Sequence, residues 1–422
     1  MMKWVCKNLL VLGISILAGF LLLLLVHLLP TDKMRENVYW SKDTILAEFD
    51  DQQVIDGYEA TMTGSFTDCL MLEHAIYRNE EHSALEQAMR MYRGESCPEG
   101  GDAWWPGQSL VDYLDGVEQP VEAEYARYWH GYLVLLKPLL MITSLNGLRM
   151  LGALLFPALL GAVLMVCCYQ RKIGLGMAVV AALPFLFFGT SFMSLSLSVC
   201  LYLMLGAVLA VLLTGKKEKL PILFLLVGIL TAYFDFLTYP LITLCFPLCA
   251  ALYGREDSTK AQWKAMAVYS LEWCVGYAVM WGSKWILADI CTGGHTIKDA
   301  LQTVFTRAGS ARGVGRISGF AEVLRCNLAP FMNVGFALFM MLFIVCLIWK
   351  LMRHGSAQQN GAKQCNVKAL LLCKIQRMSV FFGVAVMPLV WWFVMQNHSQ
   401  EHWAYTCRNF AIVVLALVAA VL

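Results

Sequence analysis

Long apolar runs alternate with polar segments along almost the whole chain. Lys3 and Lys7 lead into the first, MMKWVCKNLLVLGISILAGFLLLLLVHLL, whose apolar stretch of about 22 residues is enough to cross a bilayer as a helix. No small-residue cleavage site follows it, so the pattern predicts an uncleaved first helix and not a signal peptide. Further runs at roughly 145–168, 174–190, 192–213, 220–234, 237–253, 265–287, 331–351, 378–395 and 407–422 predict about ten transmembrane helices.

The first polar segment, 31–144, is too polar to lie in lipid, yet two stretches of it have helical periodicity. After Asp68, Leu72, Ala75, Ile76 and Asn79 share one face; Leu85, Ala88, Met89 and Tyr92 recur at i, i+3, i+4 and i+7. Two amphipathic juxtamembrane helices are expected there, lying on the membrane or against the bundle. CPEGGDAWWPG (97–107) reads as a loop whose paired tryptophans suit the interface. RYWHGYLVLLKPLLMITSLNGLRMLGALL (127–155) then returns the chain to the bilayer through an aromatic approach. The expected fold is an all-α polytopic membrane protein, one domain over 1–422.

Composition agrees with that pattern. With 59% hydrophobic residues, 15% charged and a mean hydropathy of +0.61, the chain is not an ordinary soluble domain. A net charge of +2 gives no reason to expect nucleic acid as a partner, and the position of the charges matters more than their number. The basic segments QRK (170–172), GKKEK (215–219), GREDSTKAQWK (254–264) and 352–377 belong in the cytoplasm with the N-terminus. Residues 31–144 and 288–330 then become large extracytoplasmic loops, and 397–408 a short third one. The same parity makes 220–253 an outward hairpin with Asp235 at its outer turn, where the carboxylate avoids the roughly 2.5–3.5 kcal/mol of a mid-helix position.

Most of the fifteen cysteines lie in apolar runs, where a free thiol packs as a small hydrophobe. The pairs Cys69 with Cys97 and Cys291 with Cys326 lie in outer segments, where either could form a disulfide.

Asp68 has two readings. Ser65-Phe66-Thr67-Asp68 matches a capping box, and an acid in a first helical turn is stabilised by the helix dipole. Alternatively the carboxylate does chemistry. Asp50 and Asp51, adjacent in AEFDDQQ, form a second acidic candidate, as a metal site or a proton-sharing pair.

Taken together, the order of parts resembles the GT-C superfamily of integral-membrane glycosyltransferases, of the bacterial type dependent on polyprenyl-phosphate sugars. In that family a first transmembrane helix is followed by a large outer loop with two amphipathic helices. An acidic residue opens the first of them, much as in TDCLMLEHAIY, and the loop re-enters through an aromatic run ending in a leucine/arginine stretch, as in YWHGYLVLLKPLLMITSLNGLRML. Here Cys69 follows Asp68 where many members have a second acid. The resemblance implies a transferase, inverting in outcome, that moves a sugar from a polyprenyl-phosphate donor lipid to a glycan, lipid or protein acceptor, with its active site on the extracytoplasmic side of the cell membrane.

That chemistry asks for a base for the acceptor hydroxyl, cations for the departing phosphate and an apolar groove for the lipid. Asp68 is the expected base, and Asp235 is the second catalytic candidate. Arg408 and His402, in NHSQEHWAYTCRNF with His398, and Arg316 and Arg312, in FTRAGSARGVGRISGF with Arg307, are expected to bind the phosphate. His130 and the mid-membrane Glu272 are further candidates. No cofactor is assigned; a divalent metal stays open, although His398 and His402 have only Glu401 nearby as a third ligand.

Two rival readings remain. A flippase or transporter of a lipid-linked sugar calls for several mid-membrane ionisable groups or matched broken helices, whereas the chain has one clear mid-membrane acid and no internal repeat. A ligase or acyltransferase of envelope polymers is favoured less by the large first outer loop.

Overall fold

The computed structural model describes residues 2–48, 53–96, 105–342, 344–345 and 367–422. After α1 (Met2–His27), the outer segment folds into α2 (Asp32–Tyr39), α3 (Lys42–Ala47), α4 (Ser65–Ile76), α5 (Ala84–Arg90), α6 (Pro106–Leu114) and α7 (Leu133–Leu140). A small antiparallel pair, β1 (Tyr92–Glu95) and β2 (Val121–Glu124), joins them, Tyr92 facing Glu124 in the register. The bundle follows as α8 (Leu145–Tyr169), α9 (Ile173–Ala182), α10 (Phe188–Ser191), α11 (Leu195–Leu213), α12 (Leu220–Phe234), α13 (Leu241–Leu252) and α14 (Thr259–Thr292). Last come α15 (Thr296–Arg307), α16 (Arg316–Leu328), α17 (Val334–Leu342), α18 (Val367–Val394), α19 (Gln396–Glu401), α20 (Trp403–Thr406) and α21 (Phe410–Val421).

The fold is thus helical, as the periodicity implies, while ten spans are not shown. Among the described residues four helices are long and apolar enough to cross a bilayer: Trp4–His27, Leu145–Tyr169, Leu195–Leu213 and Trp403–Val421. A fifth exists if Arg316–Phe331 and Val334–Leu342, bent by 82°, count as one span. The run at 174–190 stops being α-helical at Leu183, where a short 3-10 turn holds Pro184; 237–253 yields the 12-residue α13; and α14, long enough, carries Glu272 and Lys284. Several long apolar helices nonetheless fit a membrane-inserted protein.

The outer segment also differs from its sequence pattern. Ten of the twelve residues of α4 are buried, so this helix is packed inside and has no solvent face. It ends at Ile76, leaving Asn79 beyond it, while α5 ends at Arg90, Met91 turns left-handed and Tyr92 enters β1. The capping box lies not at Ser65 but at Ser83, whose hydroxyl accepts from the Glu86 amide while the Glu86 carboxylate accepts from the Ser83 amide.

Two apolar cores meet along α12 and α14. One joins the outer segment to α1 and α7; the other is built from α8, α9, α11, α13, α18 and α21. At the crossing a Cβ on Gly228 would come 2.1 Å from the Trp273 carbonyl, and one on Gly276 would come 2.2 Å from that of Leu225. Only glycine permits backbones so close, which is how small residues hold helix pairs together where lipid offers no hydrophobic drive.

Charged side chains recur at the ends of neighbouring helices. Lys137 Nζ donates to Ala75 O at 2.7 Å, closing α4; Lys284 Nζ donates to Ala88 O at 2.9 Å and Met89 O at 2.8 Å, closing α5. Both ammonium groups are buried. Helix C-termini present unpaired carbonyls and partial negative charge, so a cation is the natural partner.

The disulfide that Cys291 and Cys326 could form is absent: both are free thiols, Cys291 near the end of α14 and Cys326 in α16 beside Glu322. Cys97 lies outside the described residues, and so do Asp50 and Asp51.

Candidate functional site

On the side of the bundle occupied by the outer segment, a cavity of about 430 Å³ opens between α4, α19 and the turn after α12. Its floor is that turn, DFLTYP. Asp235 is buried there and accepts from the Thr238 amide at 3.1 Å and from the Thr238 hydroxyl, an arrangement that tightens the turn while Leu237 takes a left-handed φ of 68°. Burial raises the Asp235 carboxyl above its ordinary pKa. The residues after it, Phe236, Leu237 and Thr238, line the cavity. The predicted turn is present, but its carboxylate closes the turn and does not face the space.

Three basic side chains do line the cavity: Arg307, His398 and His402. His398 donates from Nε2 to Leu237 O at 3.0 Å, which leaves Nδ1 as a buried acceptor with no partner. Its ring lies 4.8 Å from that of His402. Burial, then the neighbouring His402, keeps His398 well below its usual pKa; burial, then Arg307, lowers His402 to about 4. Both imidazoles are therefore neutral at pH 7, and the fixed positive charge beside them is Arg307, while His402 has its expected place among the polar groups of the cavity. That guanidinium is half-buried and donates to the Tyr128 hydroxyl, with its carbon 5.9 Å from the Tyr128 ring centre.

Two carboxylates border the same space, Glu401 at the end of α19 and Glu59 in a 3-10 turn. Both are exposed, and Glu401 accepts from Asn397 Nδ2 at 3.0 Å. Phe66, Tyr125, Phe236, Trp403 and Tyr405 add aromatic walls. Nothing in the sequence marks Glu59, which sits in no periodic stretch. Glu401 carries one signal, its place between His398 and His402, which in sequence suggests a metal ligand and not a base.

Asp68 lies elsewhere. It is 2% exposed, and its carboxylate sits at the N-terminus of α11. Oδ1 accepts from the Ser196 amide at 2.9 Å and from the hydroxyls of Ser194 at 2.8 Å and Ser196 at 2.9 Å; Oδ2 accepts from the Leu195 amide at 2.8 Å. Neither sequence reading describes this. The residue preceding α4 is Gly64, left-handed at φ 72°, and a Cβ there would come 3.1 Å from Ser194 Oγ, so glycine lets α4 dock against α11. Burial raises the Asp68 carboxyl to about 6, against the pull of those amide and hydroxyl donors.

The remaining candidates are also engaged. Arg408 is buried, donating to Ser191 Oγ at 3.0 Å, to Thr190 Oγ1 at 3.4 Å and to Ala404 O, so its fork is not turned to the cavity. Arg316 donates to Ala308 O at 2.7 Å and Phe393 O at 3.4 Å, closing α15 and α18, and Arg312 pairs with Glu322 at 3.5 Å. His130, left-handed at φ 53°, donates from Nε2 to Tyr125 O at 2.7 Å and accepts from the Tyr132 hydroxyl at 3.1 Å, bracing the cavity wall from behind. Glu272 accepts from Asn8 Nδ2 at 2.8 Å, a lock between α14 and α1.

A second space, an apolar groove of about 260 Å³, lies between α7, α8 and α11, lined by leucines such as Leu136, Leu151 and Leu155 with Phe192 and Phe234. Met71 of α4 borders this groove while Phe66, Thr67 and Leu70 border the cavity, so α4 stands between the two. Among the described residues no three His, Cys, Asp or Glu side chains converge to hold a metal. The chain matches no family model, no curated protein and no solved structure.

Proposed function

We propose that the protein is a membrane glycosyltransferase that moves a sugar from a polyprenyl-phosphate donor to an extracytoplasmic glycan, lipid or protein. The observation that supports it is the pairing of an aromatic, carboxylate- and arginine-lined cavity with an apolar groove across the single helix α4. On this reading the ten apolar runs of the sequence are ten spans, the N-terminus is cytoplasmic and the cavity opens outside.

The lipid chain lies in the groove and its phosphate reaches Arg307, whose planar fork holds phosphate oxygens and stabilises charge as the sugar departs. The neutral imidazoles of His398 and His402 orient the head group without adding charge. A cavity carboxylate, Glu401 or Glu59, takes the proton of the acceptor hydroxyl. That oxygen forms the new bond to the anomeric carbon as the bond to the phosphate oxygen breaks, a single displacement that inverts the centre. Asp68 is a positioning residue: it holds α11 against α4 and so keeps groove and cavity side by side.

Native mass spectrometry of the solubilised protein with a polyprenyl phosphate and the matching polyprenol tests this. The phosphate should bind about 10–100-fold more tightly, the worth of one charge-assisted contact, and Arg307→Ala should erase the difference. Equal binding of both lipids to the unaltered protein would defeat the proposal.

A further inference from the structure

The second outer segment contains a helix whose surface is divided into three sectors. At about 100° per residue, Thr296, Ala300, Thr303 and Arg307 of α15 fall together; Thr296 and Ala300 are buried against the protein, and Arg307 enters the cavity. Ile297, Leu301 and Phe305 form the next sector and are 38%, 44% and 74% exposed. Lys298, Gln302 and Thr306 form the third and are exposed, while Asp299, between that sector and the protein, pairs with Arg127 at 2.8 Å. A helix at a protein–water boundary needs two sectors. The additional sector here, Ile297, Leu301 and Phe305, is apolar and uncovered and calls for another solvent.

The direction of that sector is fixed by α14. Exposed Leu271, Val279, Ile286 and Ile290 make one stripe along α14 that ends just before α15 begins. The connection is braced, because the Asp289 carboxylate accepts from the Thr296 amide at 2.6 Å and the Ile297 amide at 3.1 Å, capping α15 from the last turns of α14. Lys298 borders the apolar sector, where its stem can lie along it with the ammonium at phosphate level.

We propose that α15 lies in the bilayer surface on the cavity side, its Ile297–Leu301–Phe305 sector in the acyl region, with the outer leaflet as its partner. This rests on the membrane reading of α14 and adds a consequence: the leaflet holds Arg307 at the height of lipid phosphates, so an anionic head group meets the cavity without leaving the surface.

The test uses the full chain in phosphatidylcholine vesicles with benzoylphenylalanine placed singly at Leu301, Phe305, Gln302, Thr306 or, on the α14 stripe, Leu271. After irradiation and mass analysis, phospholipid adducts are expected at Leu301, Phe305 and Leu271 and absent at Gln302 and Thr306. Adducts at Leu271 but at neither Leu301 nor Phe305 would overturn the placement of α15 while leaving α14 in the membrane. Equal adducts in both sectors would overturn it as well. No adduct even at Leu271 would remove the membrane reading of α14 and this proposal with it.

Discussion

Arg408 and Arg307 carry the same fork, yet their surroundings are opposite. Arg408 is buried with its nitrogens committed to Ser191, Thr190 and Ala404. Arg307 is half-buried, bonded to the Tyr128 hydroxyl and facing an open space. Asp68 and Glu401 repeat the contrast: four donors surround the first, and one side-chain amide meets the second. In this bundle a buried charge answers the unpaired groups at a helix end, as Lys137 and Lys284 also do, because a helix terminus away from water must find partners in side chains. On the proposed reading, chemistry falls to the charges that keep free bonding capacity toward a cavity.

The largest expected effect breaks the carboxylate half of that contrast. In a transfer assay with a labelled polyprenyl-phosphate sugar, Glu401→Gln or Glu59→Gln should lower the rate by about 10²–10⁴, the loss of a general base, with unchanged melting temperature. Asp68→Asn should do the reverse. Its amide oxygen can serve the donors at Oδ1 but its NH₂ then faces the Leu195 amide, so stability should fall by about 1–3 kcal/mol while the folded fraction keeps its rate. Normal stability with a 10²-fold or greater loss of rate in Asp68→Asn would return the base to Asp68.

The arginines sharpen the contrast in stability. Arg408→Ala strands the Ser191, Thr190 and Ala404 partners and leaves a hole, at about 2–5 kcal/mol in denaturant unfolding. Arg307→Ala should stay within about 1 kcal/mol, in keeping with a side chain whose protein contacts are few. Similar losses in both would mean that Arg307 is another structural clamp.

The smallest effect is in pH dependence, where the two regions pull in opposite directions. The His402 pKa is depressed to about 4, so its contribution is full above the unfolded value of 6.5 and is lost as pH falls through about 4. The Asp68 pKa is raised to about 6, so its contribution is full below the unfolded 3.8 and is lost as pH rises through about 6. Between about pH 4 and 6 the slopes oppose. Relative to the unaltered protein, melting curves across that range should tilt upward with pH in Asp68→Asn and downward with pH in His402→Gln; parallel curves in all three proteins would show that neither group couples to folding.

The apolar runs by themselves determined the helices, the large outer segment between α1 and α8, and the turn that contains Asp235, because burial in an apolar medium requires long runs that satisfy their own backbone. They also placed the histidines of 397–408 near the proposed chemistry. The partner of each charge was decided only by the tertiary structure. Asp68 meets donors 126 to 128 residues away, and Lys284 closes a helix 195 residues earlier in the chain, so no local window contains either pair. Capping rules read from sequence assume that a helix is capped by its own neighbours in the chain; in a packed bundle the nearest unpaired amide belongs to whichever helix arrives beside it. Glu59 shows the same limit from the other side, since only the approach of α19 and the turn after α12 makes an ordinary loop carboxylate part of a cavity.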